Sequence, residues 1–196
     1  MNLPAVLVAI ANTVYWLAVT VKAVRLTQQT GHQPNIIPRE ALGFILRIIW
    51  LPVVLAMMLL SWRYALISHP LPAAFSRQLI AYGGALLSLS ALALTFYCWK
   101  EMGTYWRMGI NPKEKTPLVT TGPFRYSAHP IYGLSMLLAI GSVIAVPTAA
   151  MLTAVCLQLI LLYQEARREE KDLLRKHGEA YLVYQSNVGR FIPRWQ

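Results

Sequence analysis

The side chains best suited to chemistry lie in two polar segments of an otherwise apolar chain. Residues 100–130 and 165–196 contain seven of the eight carboxylates and two of the four histidines. His129 stands directly before Pro130, and a proline suits the first turn of a helix. Unpaired backbone N–H groups and the helix dipole favour a bound anion at such a turn. We therefore expect an active site where the two segments meet.

The second segment begins with a cluster of carboxylates that follows a long apolar run. Its first carboxylates are Glu165, Glu169, Glu170 and Asp172. This cluster is either part of a site or a solvated helix face with ordinary ion pairs. On the second interpretation, Glu165 pairs with Arg168 one turn later. Glu170 would likewise pair with Lys176.

Residues 103–130 form a long connection and not a helix, because they contain three Gly and four Pro. The run Leu118–Thr121 favours a short β-like stretch. A loop of this length is uncommon unless it is functional or disordered, and its aromatic residues argue against disorder. An interfacial loop held by aromatic anchors is the alternative. Beyond the acidic cluster, helical spacing predicts an amphipathic C-terminal helix through Leu173, His177, Tyr181, Tyr184 and Val188.

Several common sites are absent from the sequence. The chain has no G-x-G-x-x-G, Walker, H-E-x-x-H or C-x-x-C motif. Cys98 and Cys156 stand in apolar runs, which indicates free packing thiols and no metal. Any cofactor must therefore be held by loops and helix ends.

The elements that position these residues are membrane helices. Hydrophobic residues make up 56% of the chain and charged residues 13%, whereas soluble domains have roughly 45–50% and about 25%. Runs of roughly 20 apolar residues can cross a bilayer, and Pro147 divides the last run into two. We predict an all-α integral membrane bundle of five transmembrane helices, the last two forming a helical hairpin. The runs are Leu3–Val24, Ala41–Trp62, Gln78–Trp99 and the two parts of Ile131–Gln164.

The basic residues orient this bundle. Fifteen of the 18 Lys and Arg residues fall on one side, Arg63 and Arg77 fall on the other, and Arg47 lies inside a span. Basic residues mark the cytoplasmic side, which places the N-terminus outside and the C-terminus in the cytoplasm. Membrane lipids then account for the net charge of +10, and no nucleic acid is expected as a partner. The fifteen are Lys22, Arg25, Arg39, Lys100, Arg107, Lys113, Lys115, Arg125, Arg167, Arg168, Lys171, Arg175, Lys176, Arg190 and Arg194.

Two linked motifs in the second half of the chain resemble a known family. Residues 118–132 read LVTTGPFRYSAHPIY and are similar to the "LV..GPYRY.RHP.Y" signature of the isoprenylcysteine carboxyl methyltransferase and phospholipid methyltransferase superfamily. Glu169 to Pro193 resembles its C-terminal "EE..L...FG..Y..Y…RFIP" signature. The resemblance covers roughly residues 102–194, with the two expected spans between the motifs.

The resemblance implies an integral membrane methyltransferase that uses S-adenosylmethionine. Its pocket would be formed by the loop before the penultimate span and by the acidic helix after the last span. On the adenosine side the implied residues are Thr116, Pro117, Leu118, Val119 and Phe124, with Gly122 at the turn. Near the methionine moiety they are His129, Pro130 and Ile131, with Tyr132 in the same pocket. Glu169 and Glu170 would hold polar cofactor groups, and the implied catalytic residues are Glu169, Arg168 and Arg125.

Two positions depart from the family pattern. Ala128 replaces the arginine of the RHP motif, and Arg125 is expected to substitute for it. Members that act on prenylcysteine carboxylates have an arginine four residues before the glutamate matched by Glu169, where this chain has Glu165. A carboxylate acceptor would use that guanidinium. The lipophilic or lipid acceptor is therefore left open as a lipid amine, a small thiol or another group.

Two other functions remain as alternatives. Membrane steroid and sterol reductases resemble the same C-terminal region and use NADPH, but the pair Glu169–Glu170 would repel a 2′-phosphate. The third interpretation is a non-catalytic membrane protein.

For the methyltransferase we expect three transmembrane helices in residues 1–99 and the cofactor-binding catalytic half in residues 100–196. Modest size, short termini and no targeting signal favour a bacterial or archaeal inner membrane, with the site facing the cytoplasm.

Overall fold

The computed structural model describes residues 2–31, 33–38, 40–67, 75–110, 114 and 116–195. Within these ranges the chain forms six α-helices and no β-strand. They are α1 (Leu3–Thr30), α2 (Ala41–Ile67), α3 (Phe75–Met102), α4 (Pro130–Ala145), α5 (Ala149–His177) and α6 (Glu179–Asn187). Single 3₁₀ turns form at Gly103–Tyr105 and Gly122–Arg125. The expected all-helical fold is confirmed.

Four of these helices, α1, α2, α3 and α5, are long and apolar enough to cross a membrane. Helix α4 is apolar but has 16 residues, about 24 Å at 1.5 Å per residue. The hydrocarbon core is roughly 30 Å thick, so the fifth crossing and the orientation stay predictions. The hairpin itself is confirmed: α4 ends at Ala145, and the side chain of Thr148 caps α5 by accepting from the Met151 N–H at 3.1 Å.

Close contacts between small residues join α3 to α4. A Cβ atom added to Gly84 would lie 2.7 Å from the Gly141 carbonyl oxygen. Ser88 of α3 also donates to the Leu138 carbonyl of α4 at 3.1 Å. Small residues permit this approach, which is typical of helix pairs in membranes. Helix α4 therefore has a rigid partner along its length.

Side-chain hydrogen bonds hold the remaining helices within the bundle. Asn12 of α1 donates to Ser142 of α4 at 3.0 Å, and Trp50 of α2 donates to Gln158 of α5 at 2.6 Å. The outer surface is apolar, with large side chains such as Leu59 exposed. This arrangement of polar groups inside and apolar groups outside suits a lipid environment.

Two local expectations are wrong. Leu118–Thr121 has no regular secondary structure, so the β-like run is absent. The predicted C-terminal helix is divided at Gly178, which has a φ of 57° and ends α5. Glycine adopts this conformation readily, and the chain turns there into α6. Arg39, Lys113 and Lys115, which contributed to the predicted orientation, lie outside the described residues.

Candidate functional site

Two adjoining cavities lie at the end of the bundle where α3 and α5 finish and α4 begins. We call them the inner chamber, between α1, α2, α3 and α4, and the outer cleft, between residues 116–119 and the end of α5. Their common wall is Met102, Arg107, Phe124, Ala128 and Glu169. The two motif regions therefore meet at one place, as the sequence predicted.

The outer cleft has one wall from the loop and one from α5. Predicted cofactor residues on the loop wall are Thr116, Pro117, Leu118, Val119 and Phe124. Helix α5 contributes Glu169, Asp172, Leu173 and Lys176, and α6 adds Tyr184. Arg107 forms an ion pair with Glu114 in the same cleft. The cleft thus combines apolar surface with several carboxylates and two basic groups.

The inner chamber extends from this junction into the bundle. Predicted residues on its wall are Phe124, His129, Pro130, Ile131, Tyr132 and Glu169. Five further aromatic side chains line the chamber, four of them from α1, α2 and α3 and one from the loop after α3. These side chains are Tyr15, Trp16, Trp50, Trp99 and Trp106. In the sequence, these residues look like the aromatic belt that is common at membrane interfaces. Only their packing in three dimensions shows that they line one cavity.

His129 lies between two carboxylates. Its Nδ1 atom is 3.7 Å from Glu169 Oε2 and its Nε2 atom is 3.5 Å from Glu170 Oε1. The imidazole is buried, whereas the Glu169 side chain is 37% exposed and reaches both cavities. The Tyr132 ring stacks on the imidazole with centroids 5.5 Å apart. The prediction that His129 and Glu169 approach one shared pocket is confirmed.

The C-terminal segment fixes this arrangement. The N–H of His129 donates to the Arg190 carbonyl at 2.9 Å, and the N–H of Ala128 donates to Gly189 at 2.8 Å. The Arg190 guanidinium donates to both Glu170 oxygens, at 2.6 and 3.0 Å. This pairing raises the pKa of Arg190. Glu170 lines neither cavity. It contacts residues of the site from outside the two cavities.

A solvated helix face would pair Glu165 with Arg168 and Glu170 with Lys176. The first pair is present at 2.7 Å, whereas Glu170 pairs with Arg190 and Lys176 pairs with Asp172. Arg168 also pairs with Glu40 and lines neither cavity. These contacts join α5 to the segment that precedes α2.

Arg125 and Gly122 also lie outside the walls of the two cavities. Arg125 is exposed, so the predicted substitution for the RHP arginine has no contact with the chamber in this structure. Gly122 has a φ of 57° and opens the 3₁₀ turn. An added Cβ would lie 2.6 Å from the Glu101 Cγ atom. Gly122 therefore positions the turn that carries Phe124.

Sequence reasoning missed the contribution of Arg47. It lies in α2 with 7% exposure, packs on the Trp50 ring at 4.8 Å, and donates to the Met108 carbonyl. Asn35 likewise donates to the Ile110 carbonyl. Together they hold the loop that forms one side of both cavities. The sequence signal for such a role was that Arg47 is an ionisable residue within a predicted membrane span.

Comparisons with known proteins agree with the motif resemblance. Residues 84–175 match the family model of the Isoprenylcysteine carboxyl methyltransferase (ICMT) family, so that resemblance is confirmed. The nickel-cobalt-cadmium resistance protein NccN of Alcaligenes xylosoxydans xylosoxydans is 27% identical over 111 residues. That segment covers 56% of this chain and 51% of the relative, so the chain matches about half the length of that protein. No solved structure gives a significant match.

Within the described ranges, no group of three or more His, Cys, Asp or Glu side chains could hold a metal ion.

Proposed function

Because residues 84–175 match the ICMT family, we propose that this integral membrane protein is a methyltransferase that uses S-adenosylmethionine and acts on a lipophilic acceptor. The observation that carries the proposal is the junction of the two cavities at Glu169. A polar cleft formed by the matched motifs opens into an apolar chamber inside the bundle. Such a pair of cavities suits one polar and one lipophilic ligand that must meet.

The residues of the outer cleft fit the chemistry of S-adenosylmethionine. Leu118, Val119 and Phe124 offer apolar surface for the adenine, while Glu169 and Asp172 offer acceptors for hydroxyl or ammonium groups. When bound, the cofactor supplies an electrophilic methyl group. We assign cofactor binding to Thr116–Val119, Phe124, His129–Tyr132 and Glu169.

The chain's own contribution to catalysis is positioning and exclusion of water. Glu169 lies where both ligands would meet, and His129 is held behind it by its backbone bond to Arg190. Tyr184 donates to the Phe124 carbonyl at 2.7 Å and fixes the wall between the cavities. Holding two reactants in line supplies a large part of the acceleration of a bimolecular reaction. Glu169 is thus the proposed catalytic residue, and Arg190, Tyr184 and Glu170 are positioning residues.

The helix ends at the site support five crossings. The C-terminal ends of α1, α3 and α5 and the N-terminal ends of α2 and α4 lie at this end; for example, Lys22 of α1 donates to the Trp99 carbonyl of α3 at 3.3 Å. This alternation supports our proposal that α4 crosses as a short span. Since most basic residues follow these ends, we assign them to the cytoplasm and the N-terminus to the outside. A bacterial or archaeal inner membrane remains our proposed location.

Calorimetric titration tests the cofactor directly. Detergent-solubilised full-length protein is titrated with S-adenosylhomocysteine and, in parallel, with NADPH. Saturable binding of S-adenosylhomocysteine alone is the expected result. Binding of NADPH alone would indicate a reductase. If the folded protein binds neither ligand, a non-catalytic role is supported.

A further inference from the structure

We propose that the inner chamber binds an amine as the methyl acceptor, and not a carboxylate. An ammonium group held there would first lose its proton to the Glu169 carboxylate. The freed nitrogen lone pair would then form the N–C bond as the methyl–sulfur bond of the cofactor breaks, and S-adenosylhomocysteine would leave. This inference rests on the proposed function and adds the chemical class of the acceptor. It is carried by the aromatic wall, by the charges around the chamber, and by an unpaired donor on the wall.

Five aromatic rings follow one another around the chamber. Trp50 and Trp16 are 5.2 Å apart between centroids, as are Trp16 and Tyr15. Tyr15 is 5.7 Å from Trp99, which is 5.8 Å from Trp106. The faces of such rings attract ammonium groups, most strongly where water is excluded. A row of aliphatic side chains would hold a hydrocarbon equally well but would offer a cation nothing.

Two of these rings already bind cations of the protein. Arg47 lies over Trp50 at 4.8 Å and Lys22 over Trp106 at 5.6 Å. In the described part of the chain, no comparable contact occupies Trp16, Tyr15 or Trp99. These three rings therefore line the chamber without a cation of the protein over them.

The charged side chains on the chamber wall favour a cation over an anion. Glu169 contributes a carboxylate that is partly open to the cavities. Among the described lining residues, the basic groups are Arg107 and His129. Arg107 pairs with Glu114 and also donates to the Thr104 and Trp106 carbonyls. The Arg107 guanidinium is thus engaged within the protein. The His129 Nε2 atom has no hydrogen-bond partner, but His129 lies between two glutamates whose charges oppose a ligand carboxylate.

The acidic residue at position 165 agrees with this charge pattern. Glu165 adds a further carboxylate to this part of α5, and it pairs with Arg168 away from the chamber wall. The other nearby cations are Lys22, over Trp106, and Arg47, over Trp50; two nitrogens of Arg47 have no hydrogen-bond partner. Arg47 lies behind Trp50 and is not part of the chamber wall. A carboxylate ligand that binds to Arg47 is therefore the alternative that the experiment must exclude.

The chamber wall also carries a buried donor that no acceptor satisfies. Trp99 is 5% exposed and its indole N–H has no hydrogen-bond partner. A buried donor without a partner is costly, and an oxygen atom of a ligand would satisfy it. This donor favours an amine that also carries an oxygen atom. Beyond Tyr15, Trp16 and Ser135 the chamber continues into a smaller, mainly apolar cavity.

Three water-soluble probes of nearly equal shape separate the possibilities. Choline carries a quaternary ammonium, 3,3-dimethylbutan-1-ol is its neutral isostere, and 3,3-dimethylbutanoate is an anion. Each is titrated against full-length protein saturated with S-adenosylhomocysteine, with tryptophan fluorescence as the readout. We expect choline to bind about tenfold more tightly than the neutral alcohol, the size of effect that cation–π contacts give in a desolvated site.

Substitutions test whether the preference for choline arises in the inner chamber. Trp16→Leu should abolish the preference for choline, whereas Trp16→Phe should retain most of it because a ring remains. Trp62→Leu is the matched control, because Trp62 lies on α2 outside the chamber and donates to Thr13. Thermal unfolding of each variant identifies any that fails to fold, and the comparison of Phe with Leu at position 16 then decides.

The outcomes separate this inference from the function on which it rests. Equal affinity for choline and the neutral alcohol, with S-adenosylhomocysteine bound, would overturn the amine and leave the methyltransferase intact. Tighter binding of 3,3-dimethylbutanoate that is lost in Arg47→Gln would replace the amine by a carboxylate. Failure of S-adenosylhomocysteine itself to bind would overturn both proposals.

Discussion

Arg190 holds His129 and Glu170 at the same time, through different parts of the same residue. Its carbonyl accepts from the His129 N–H at 2.9 Å, while its guanidinium donates to Glu170 Oε1 at 2.6 Å. Ser127 also donates to the Arg190 carbonyl at 2.9 Å. One residue of the C-terminal segment thereby joins the start of α4 to the end of α5. The contact between His129 and Glu169, forty positions apart, depends on that connection.

Replacement of Arg190 by Gln should loosen the site without unfolding the bundle. The Arg190 side chain is 40% exposed, so the pair with Glu170 is partly screened and contributes about 0.5–1 kcal/mol. A double-mutant cycle of Arg190→Gln with Glu170→Gln, followed by thermal unfolding, measures this coupling. Arg194→Gln is the control, since Arg194 is exposed and its guanidinium donates to the Ser186 carbonyl. A coupling energy of zero would show that this ion pair does not stabilise the site.

Replacement of Glu169 by Gln should weaken cofactor binding while leaving stability almost unchanged. The loss of a charged acceptor costs about 1.5–3 kcal/mol where it accepts a ligand hydrogen bond, which is roughly ten- to hundredfold in affinity. Titration with S-adenosylhomocysteine measures this loss. Glu179→Gln serves as the control, because Glu179 is exposed on α6 and lines neither cavity. Equal affinities of the two variants would exclude Glu169 from the binding site.

The helices and the meeting of the two motifs could be predicted from the sequence for simple physical reasons. Apolar runs specify membrane helices, and Pro147 with the Thr148 cap specifies the turn between α4 and α5. His129 and Glu169 stand at the beginning of one hairpin helix and near the end of the other. An antiparallel pair necessarily brings such positions to the same end.

The aromatic chamber and the partner of Glu170 could not be predicted in this way. Trp16 and Trp50 come from helices without a motif, and their contact depends on how α1 packs against α2. Arg190 reaches Glu170 because Gly178 turns the chain back after α5, whereas the interpretation as a solvated helix face paired Glu170 with Lys176. Short-range spacing does not determine either packing or a change of chain direction.

Alanine at position 122 should destabilise the protein by about 1–3 kcal/mol, because the residue needs a positive φ and has no room for a Cβ atom. Gly83→Ala is the matched control within α3, where nothing lies within 4 Å of an added Cβ. That control should be neutral or stabilising by up to about 1 kcal/mol, because alanine favours a helix. Thermal unfolding followed by circular dichroism compares them. Similar melting temperatures for both variants would show that the turn at Gly122 tolerates a side chain.

Removal of the Tyr184 hydroxyl should change how stability depends on pH. Burial raises the pKa of Tyr184 in the folded protein above its ordinary value of 10.0, so the folded state retains a proton that the unfolded state releases. The stabilisation is therefore complete below pH 10 and falls as the pH rises above it. Tyr184→Phe cannot lose this proton, so its stability should fall less steeply than that of the unmodified protein above pH 10. At neutral pH the variant should lose about 1 kcal/mol, because the Phe124 carbonyl loses its donor. Unfolding midpoints measured from pH 7 to pH 11 test both parts, and parallel pH profiles for the two proteins would contradict the assignment.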